Sequence, residues 1–254
     1  MNFLAKAALF AVPLTLALGG SVAAEEWGTI KGQITWGGQE PPPRVKLDVN
    51  KDQVHCLGEG PIYSEEYVVG KGSGVKNVFV WLIDAGNPKK KLPIHPSLLA
   101  LKDKEVVLDQ PHCRFEPHAL ILREGQVLLA RNSSPVVHNL NWQGGADNPG
   151  DNKVIPANGQ FAIENLKASS RPLQVSCNIH TWMSAWIRVF DHPYYVLTDA
   201  EGRFEIKKAP AGKYNLVMWH EGAHWIGGGK TGKTIDIPAN GTVEVKEVVK
   251  PPER

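Results

Sequence analysis

Residues 29–36 alternate without a break. Ile30, Gly32, Ile34 and Trp36 fall on one side; Thr29, Lys31, Gln33 and Thr35 fall on the other. A period of two with one wet face predicts a strand. Pro41-Pro42-Pro43 ends it, and residues 44–74 carry no pattern that assigns an element. The stretch 75–83 (VKNVFVWLI) is apolar on both faces, which predicts a strand covered from both sides. Prolines 88, 93 and 96 then mark an exposed connector. A second β-rich block follows. Strands are predicted over 106–108, over 119–122 and 127–130 around a Glu124-Gly125 turn, near Phe161 and Ile163, along Leu173, Val175 and Cys177, and over 186–190. After Asp191, turns at 199–202 and 210–212 lead into strands carrying Phe204 and Ile206, then residues 214–219. Ile235, Ile237, Val243 and Val245 supply two more. No long helical period, internal repeat or low-complexity tract interrupts this series, so the fold class is all-β.

The first 24 residues stand apart. Lys6 precedes an apolar run at 7–18, and Val22-Ala23-Ala24 precede Glu25, the pattern of a signal peptide cleaved near Ala24. The run is short for a bilayer span, and nothing later is apolar enough to be one. The expected location is therefore periplasmic or secreted. What remains is about 230 residues, enough for one large domain or two small ones. The formal charge of +2 falls to +1 without Lys6, and no basic block points to nucleic acid.

The three cysteines, 56, 113 and 177, leave one unpaired in an exported chain. Cys177 opens the segment CNIHTWM, which offers a thiolate, the His180 imidazole and the Met183 thioether within seven residues. His138, in SPVVHN, supplies a second imidazole. With Cys177 assigned to a metal, a Cys56–Cys113 disulfide follows by arithmetic. Two imidazoles, a thiolate and a nearby thioether suit a copper ion cycling between Cu(I) and Cu(II), and trigonal His₂Cys with a long axial Met is an electron-transfer geometry. The alternation through Leu173, Val175 and Cys177 aims the sulfur at the core. A tight loop returns His180 and Met183 toward it, while His138 must arrive from a neighbouring strand end.

Residues 104–190 resemble a cupredoxin. The resemblance rests on Phe115-Glu116-Pro117-His118, Gly125-Gln126-Val127, Asn132-Ser133-Ser134, His138-Asn139 and the C-x2-H-x2-M loop, whose short spacing is that of amicyanin-like members. It implies a Greek-key sandwich, one type 1 copper ion, and a role for Asn139 in hydrogen-bonding across the ligand loops. The tail TDAEGRFEIKKAPAGKYNLVMWHEG resembles a carboxypeptidase-regulatory or transthyretin-like sandwich, whose missing opening strands are matched by residues 28–34 and 78–82. Two organisations follow. Residues 25–99 and 191–254 form one sandwich with 100–190 inserted between its strands, or three small domains stand in a row. The first is preferred, because the tail alone makes a marginal core. The layout also resembles exported proteins labelled "methylamine utilization protein".

Trp182, where plastocyanin-like loops carry smaller residues, is expected with Ile179 and Trp142 to rim an exposed His180 edge as a docking surface. Redox proteins are the expected donor and acceptor, and no enzymatic role is expected. The alternatives are a non-redox binding module, a copper chaperone or storage protein, and an oxidase subunit, the last needing a second copper centre. His112, Cys113 and His118 would be the start of a second metal site. The preferred reading gives Cys113 to a disulfide and leaves His118 exposed. His55, His95 and His192 are read as surface or loop residues. Two motifs are discounted. His220-Glu221-Gly222-Ala223-His224 fits H-E-x-x-H, which works only on a helix, and residues 227–234 fit a phosphate loop, which needs a helix after it. Strand patterns surround both.

Overall fold

The computed structural model describes residues 26–145 and 147–250. The leader assigned to residues 1–24 lies outside them. No helix among the described residues is long and apolar enough to cross a membrane.

The chain is all-β and builds two sandwiches. In the first, Trp27–Trp36 lies between Arg203–Pro210, antiparallel to it, and Thr242–Val249, parallel to it. The facing sheet orders Tyr195–Leu197, Phe79–Asp84, Gly212–His220 and His224–Ile226, with Lys233–Ile237 also paired to Gly212–His220. Strands from both ends of the chain thus share sheets. Ile30, Ile34, Val80, Leu82, Leu216, Met218, Phe204 and Val245 fill the space between them. Gly32 sits on the core face of its strand because a Cβ there would come within 2.4 Å of both the Phe204 ring and the Val245 carbonyl.

In the second sandwich, one sheet runs in the order Ala119–Arg123, Ser184–Phe190, Leu173–Ser176, His138–Trp142, Asp151–Ile155. Its partner sheet orders Glu105–Leu108, Val127–Arg131, Gln160–Ile163. Leu120, Leu122, Leu128, Ala130, Leu140, Val175, Ile187 and Val189 form the core.

The two bodies meet on an aromatic face. Phe79, Trp81, Val217 and Trp219 pack against Ala119 and Phe190, with Ile121 and Trp186 beside them. This explains the doubly apolar strand at 79–84: Val80 and Leu82 enter one core while Phe79 and Trp81 enter the junction. Arg188 is buried in the same junction, its guanidinium 3.5 Å above the Trp81 ring.

Residues 44–64, unassigned from sequence, form a strap along the second sandwich. Val49, Cys56 and Ile62 enter its core, and Cys56 is bonded to Cys113 across 57 positions of sequence. Backbone bonds from Leu47 to Ile62 and from Ser64 to Val45 close the strap on itself.

Candidate metal centre

Sheet register brings the first donors together. Asn141 pairs with Ser176 and Trp142 with Val175 in antiparallel strands. Carried three residues further, this register sets His138, the first residue of its strand, opposite the loop that follows Ser176. That loop is closed by backbone bonds from Met183 N–H to the His180 carbonyl and from Cys177 N–H to the Met183 carbonyl.

Nδ1 of His138 and Nδ1 of His180 each lie 3.9 Å from Cys177 Sγ. The two ring centroids are 4.5 Å apart. His138, Cys177 and His180 are 0%, 2% and 0% exposed, and Met183 is buried in the same core. A first-row ion about 2.3 Å from sulfur and 2.0–2.1 Å from nitrogen, with ligands at trigonal angles, places those donors about 3.8 Å apart. The observed spacing fits a single ion held between them. Burial, then the neighbouring His180, pushes the His138 pKa down to about 4. Burial also lowers that of His180 and outweighs the opposing pull of Asp52. Both imidazoles are thereby kept neutral, the form that offers a lone pair to a metal.

Asn139 bridges the loops. Its Oδ1 accepts from the backbone N–H groups of Asn178, at 2.8 Å, and Ile179, at 3.2 Å, and lies 3.2 Å from the Cys177 sulfur. Its own amide donates to Asn152 at 2.7 Å. The His180 N–H points at the same sulfur, 3.4 Å away.

Contrary to the sequence expectation, His180 has no exposed edge. The ring is wholly buried, because the strap lies over it: Nε2 is 2.8 Å from Asp52 Oδ2, and the disulfide sulfurs lie within 4.8 Å of a ring nitrogen. Ile179 and Trp182 are half-buried. Trp182 packs edge-on to His180 at 5.1 Å and donates to the Cys113 carbonyl. Trp142 donates instead to Pro149. No rim surrounds an open imidazole. On the Met183 side a cleft of about 470 Å³ is lined by Met183, Trp182, His118 and Glu221.

No pattern marks Asp52, since its segment has no period. The cysteine pairing carries the signal: tying Cys56 to Cys113 brings residue 52 to the edge of the second sandwich.

Two other histidines also differ from the sequence expectation. His118, expected at the surface, is buried between Glu221 on Nε2 and Glu65, 3.7 Å from Nδ1. His192 is buried as well, and burial pushes its pKa down to about 4. His112 instead faces Glu59. His220 and His224 pair across a hairpin, so the H-E-x-x-H spelling is not on a helix. Residues 229–231 make a single tight turn leading into the strand Lys233–Ile237.

Neither a protein-family model nor a curated protein matches this sequence. Among solved structures, the chain is similar to a reduced amicyanin variant at 14% identity and a TM-score of 0.31, over 43% of this chain and 91% of that one. It is similar to a Cu(I) form of another amicyanin variant at 13% identity and a TM-score of 0.31, over 45% and 99%. A copper-containing nitrite reductase from Thermus scotoductus SA-01 matches at 17% identity and a TM-score of 0.32, over 40% of this chain and 28% of that one.

Proposed function

We propose that this chain is an exported type 1 copper protein that carries single electrons between redox proteins outside the cytoplasm. The observation behind the reading is the meeting of two imidazole nitrogens and a cysteine sulfur, mutually spaced for one ion, in a site without exposed donor surface. Met183, on the same loop, would supply a thioether as a further donor to that ion. Copper would supply a one-electron couple that soft sulfur and borderline nitrogen donors tolerate in both oxidation states.

The chain's own part is rigidity. Asn139 fixes the ligand loop to the neighbouring strand, and the sandwich core fixes Cys177 and Met183. A constellation held this firmly changes little between two charge states, which favours fast electron exchange. Closed donors also disfavour the chaperone reading, since a chaperone needs ligands that exchange readily. The outer sandwich, with strands from residues 27–84 and 195–249, is proposed to be of the transthyretin-like type and to carry the copper domain as an insertion.

The test is direct. Cu(II) added to the purified chain should give an intense thiolate-to-copper absorption band at one ion per chain, absent in Cys177→Ser. A colourless wild-type protein at stoichiometric copper would overturn the assignment.

A further inference from the structure

The geometry points to Asp52 as a positioning residue for the metal centre: a carboxylate outside the copper block that orients His180, seals its outer edge and holds the reduction potential down. This inference rests on the copper reading above.

His180 turns Nδ1 toward the Cys177 sulfur, so its Nε2 faces outward. In a ligand loop lying on a sandwich rim, that outward edge is where water or a partner would touch the ring. Here Asp52 Oδ2 occupies the position at 2.8 Å, and the imidazole has no exposed surface. A carboxylate only accepts, so Nε2 carries the proton and Nδ1 keeps its lone pair for the metal. One contact thus fixes tautomer and ring orientation together.

Asp52 is itself firmly mounted. Its backbone is left-handed, φ 47° and ψ 35°, and its carbonyl accepts from the N–H groups of His55 and Cys56. Cys56 is locked by the disulfide to Cys113, whose carbonyl receives the Trp182 indole N–H. Gln53 bonds back to the Val49 carbonyl, and His55 meets the Pro111 carbonyl. The carboxylate is therefore presented to His180 by a platform cross-linked to the same sandwich that carries the ligands.

The electrostatic consequence has a definite sign. A negative charge on the far side of a ligand ring stabilises the more positive oxidised ion over the reduced one. Removing it weakens Cu(II) binding relative to Cu(I) and raises the potential. Outer partners of ligating histidines are worth about 10–100-fold in metal affinity. A tenfold relative loss corresponds to 59 mV for a one-electron couple.

Asp52→Asn and Asp52→Gly are the informative variants, because both side chains tolerate the left-handed backbone that Ala would strain. Asn keeps an acceptor and loses the charge; Gly loses both. Redox titration of the copper-loaded full chain against a soluble mediator should show the potential raised in both variants, by up to about 59 mV, since the Asp52 side chain is 36% exposed and its charge partly screened. In the metal-free protein, NMR should show a His180 Nε2 proton protected from exchange in wild type and in Asp52→Asn, and exchanging freely in Asp52→Gly. An Asp52→Asn potential equal to that of wild type would overturn the electrostatic role. Unchanged Nε2–H protection in Asp52→Gly would overturn the positioning role. A wild-type chain that binds no copper would sink the copper reading and the potential-setting role with it, while the metal-free NMR still decides whether Asp52 holds the ring.

Discussion

A single oxygen of Asn139 serves three groups: the N–H of Asn178, the N–H of Ile179 and the sulfur of Cys177. Truncation to Ala leaves two loop N–H groups without their acceptor. Asn178 is exposed, so water takes over its N–H, while the half-buried Ile179 N–H loses on the order of 1–3 kcal/mol. Asn139→Ala should therefore lower the urea-unfolding free energy by about 1–3 kcal/mol, with an unchanged denaturant slope. A wild-type midpoint would show that water replaces the bonds without cost. Gly32 is the second residue whose identity is fixed by contact. A methyl group there meets the Phe204 ring and the Val245 carbonyl at 2.4 Å, one of them backbone that cannot swing aside. Gly32→Ala should cost about 1–3 kcal/mol as overpacking, read as a lowered thermal midpoint of the outer sandwich.

The strap at 44–64 is the element on which the centre's enclosure depends. It has one short helical turn, Gln53–Cys56, turn bonds that continue to Gly60, and two backbone bonds bridging its ends, and it adds no strand to either sheet of the sandwich. Core side chains and the disulfide do most of the holding. Closing a loop of 57 positions removes chain entropy from the unfolded state worth about 4 kcal/mol. Replacing Cys56 and Cys113 together by Ala should lower stability by an amount of that order in urea unfolding. Limited proteolysis should then cut first within residues 44–64. A doubly substituted protein as stable as wild type, or cut elsewhere, would show that core packing alone seats the strap.

Two sandwiches joined through aromatic rings also share a charged contact. His118 of the second sandwich meets Glu221 of the first, with Glu65 beyond its other nitrogen. Burial by itself would lower the His118 pKa, but the hydrogen bond and charge of Glu221, then the charge of Glu65, raise it above 6.5. Burial would raise that of Glu221, but His118 and the Trp186 N–H bring it below 4.5. A raised histidine contributes stability that is whole below 6.5 and fades as pH climbs through its folded value. A lowered carboxylate contributes above 4.5 and fades as pH falls through its own. The pair therefore counts most between those two values. His192 and His220, each pushed to about 4 by burial, favour the folded state in the opposite sense, toward higher pH. Subtracting the unfolding free energy of Glu221→Gln from that of wild type removes the shared His192 contribution. The difference should be largest between pH 4.5 and 6.5 and shrink at alkaline pH; a flat difference would count against the pairing.

What the amino-acid sequence determined by itself is local. Alternation marks a strand such as 27–36 because a sheet with one buried face demands a period of two. C-x2-H-x2-M places three donors on one loop, since so few residues cannot carry them far apart. The odd cysteine count left 56 and 113 for each other, and these two are bonded in the structure. Apart from that disulfide, tertiary structure decided what joins distant positions. His138 reaches Cys177 across 39 residues only because two antiparallel strands are in register. Asp52 reaches His180 across 128 residues only because a segment with no period of its own is cross-linked onto the sandwich. Whether a histidine is wet or buried is equally unreadable from spelling. His118, His180 and His192 lie under surfaces contributed by remote parts of the chain, and the sheet order and the junction between bodies put those surfaces there.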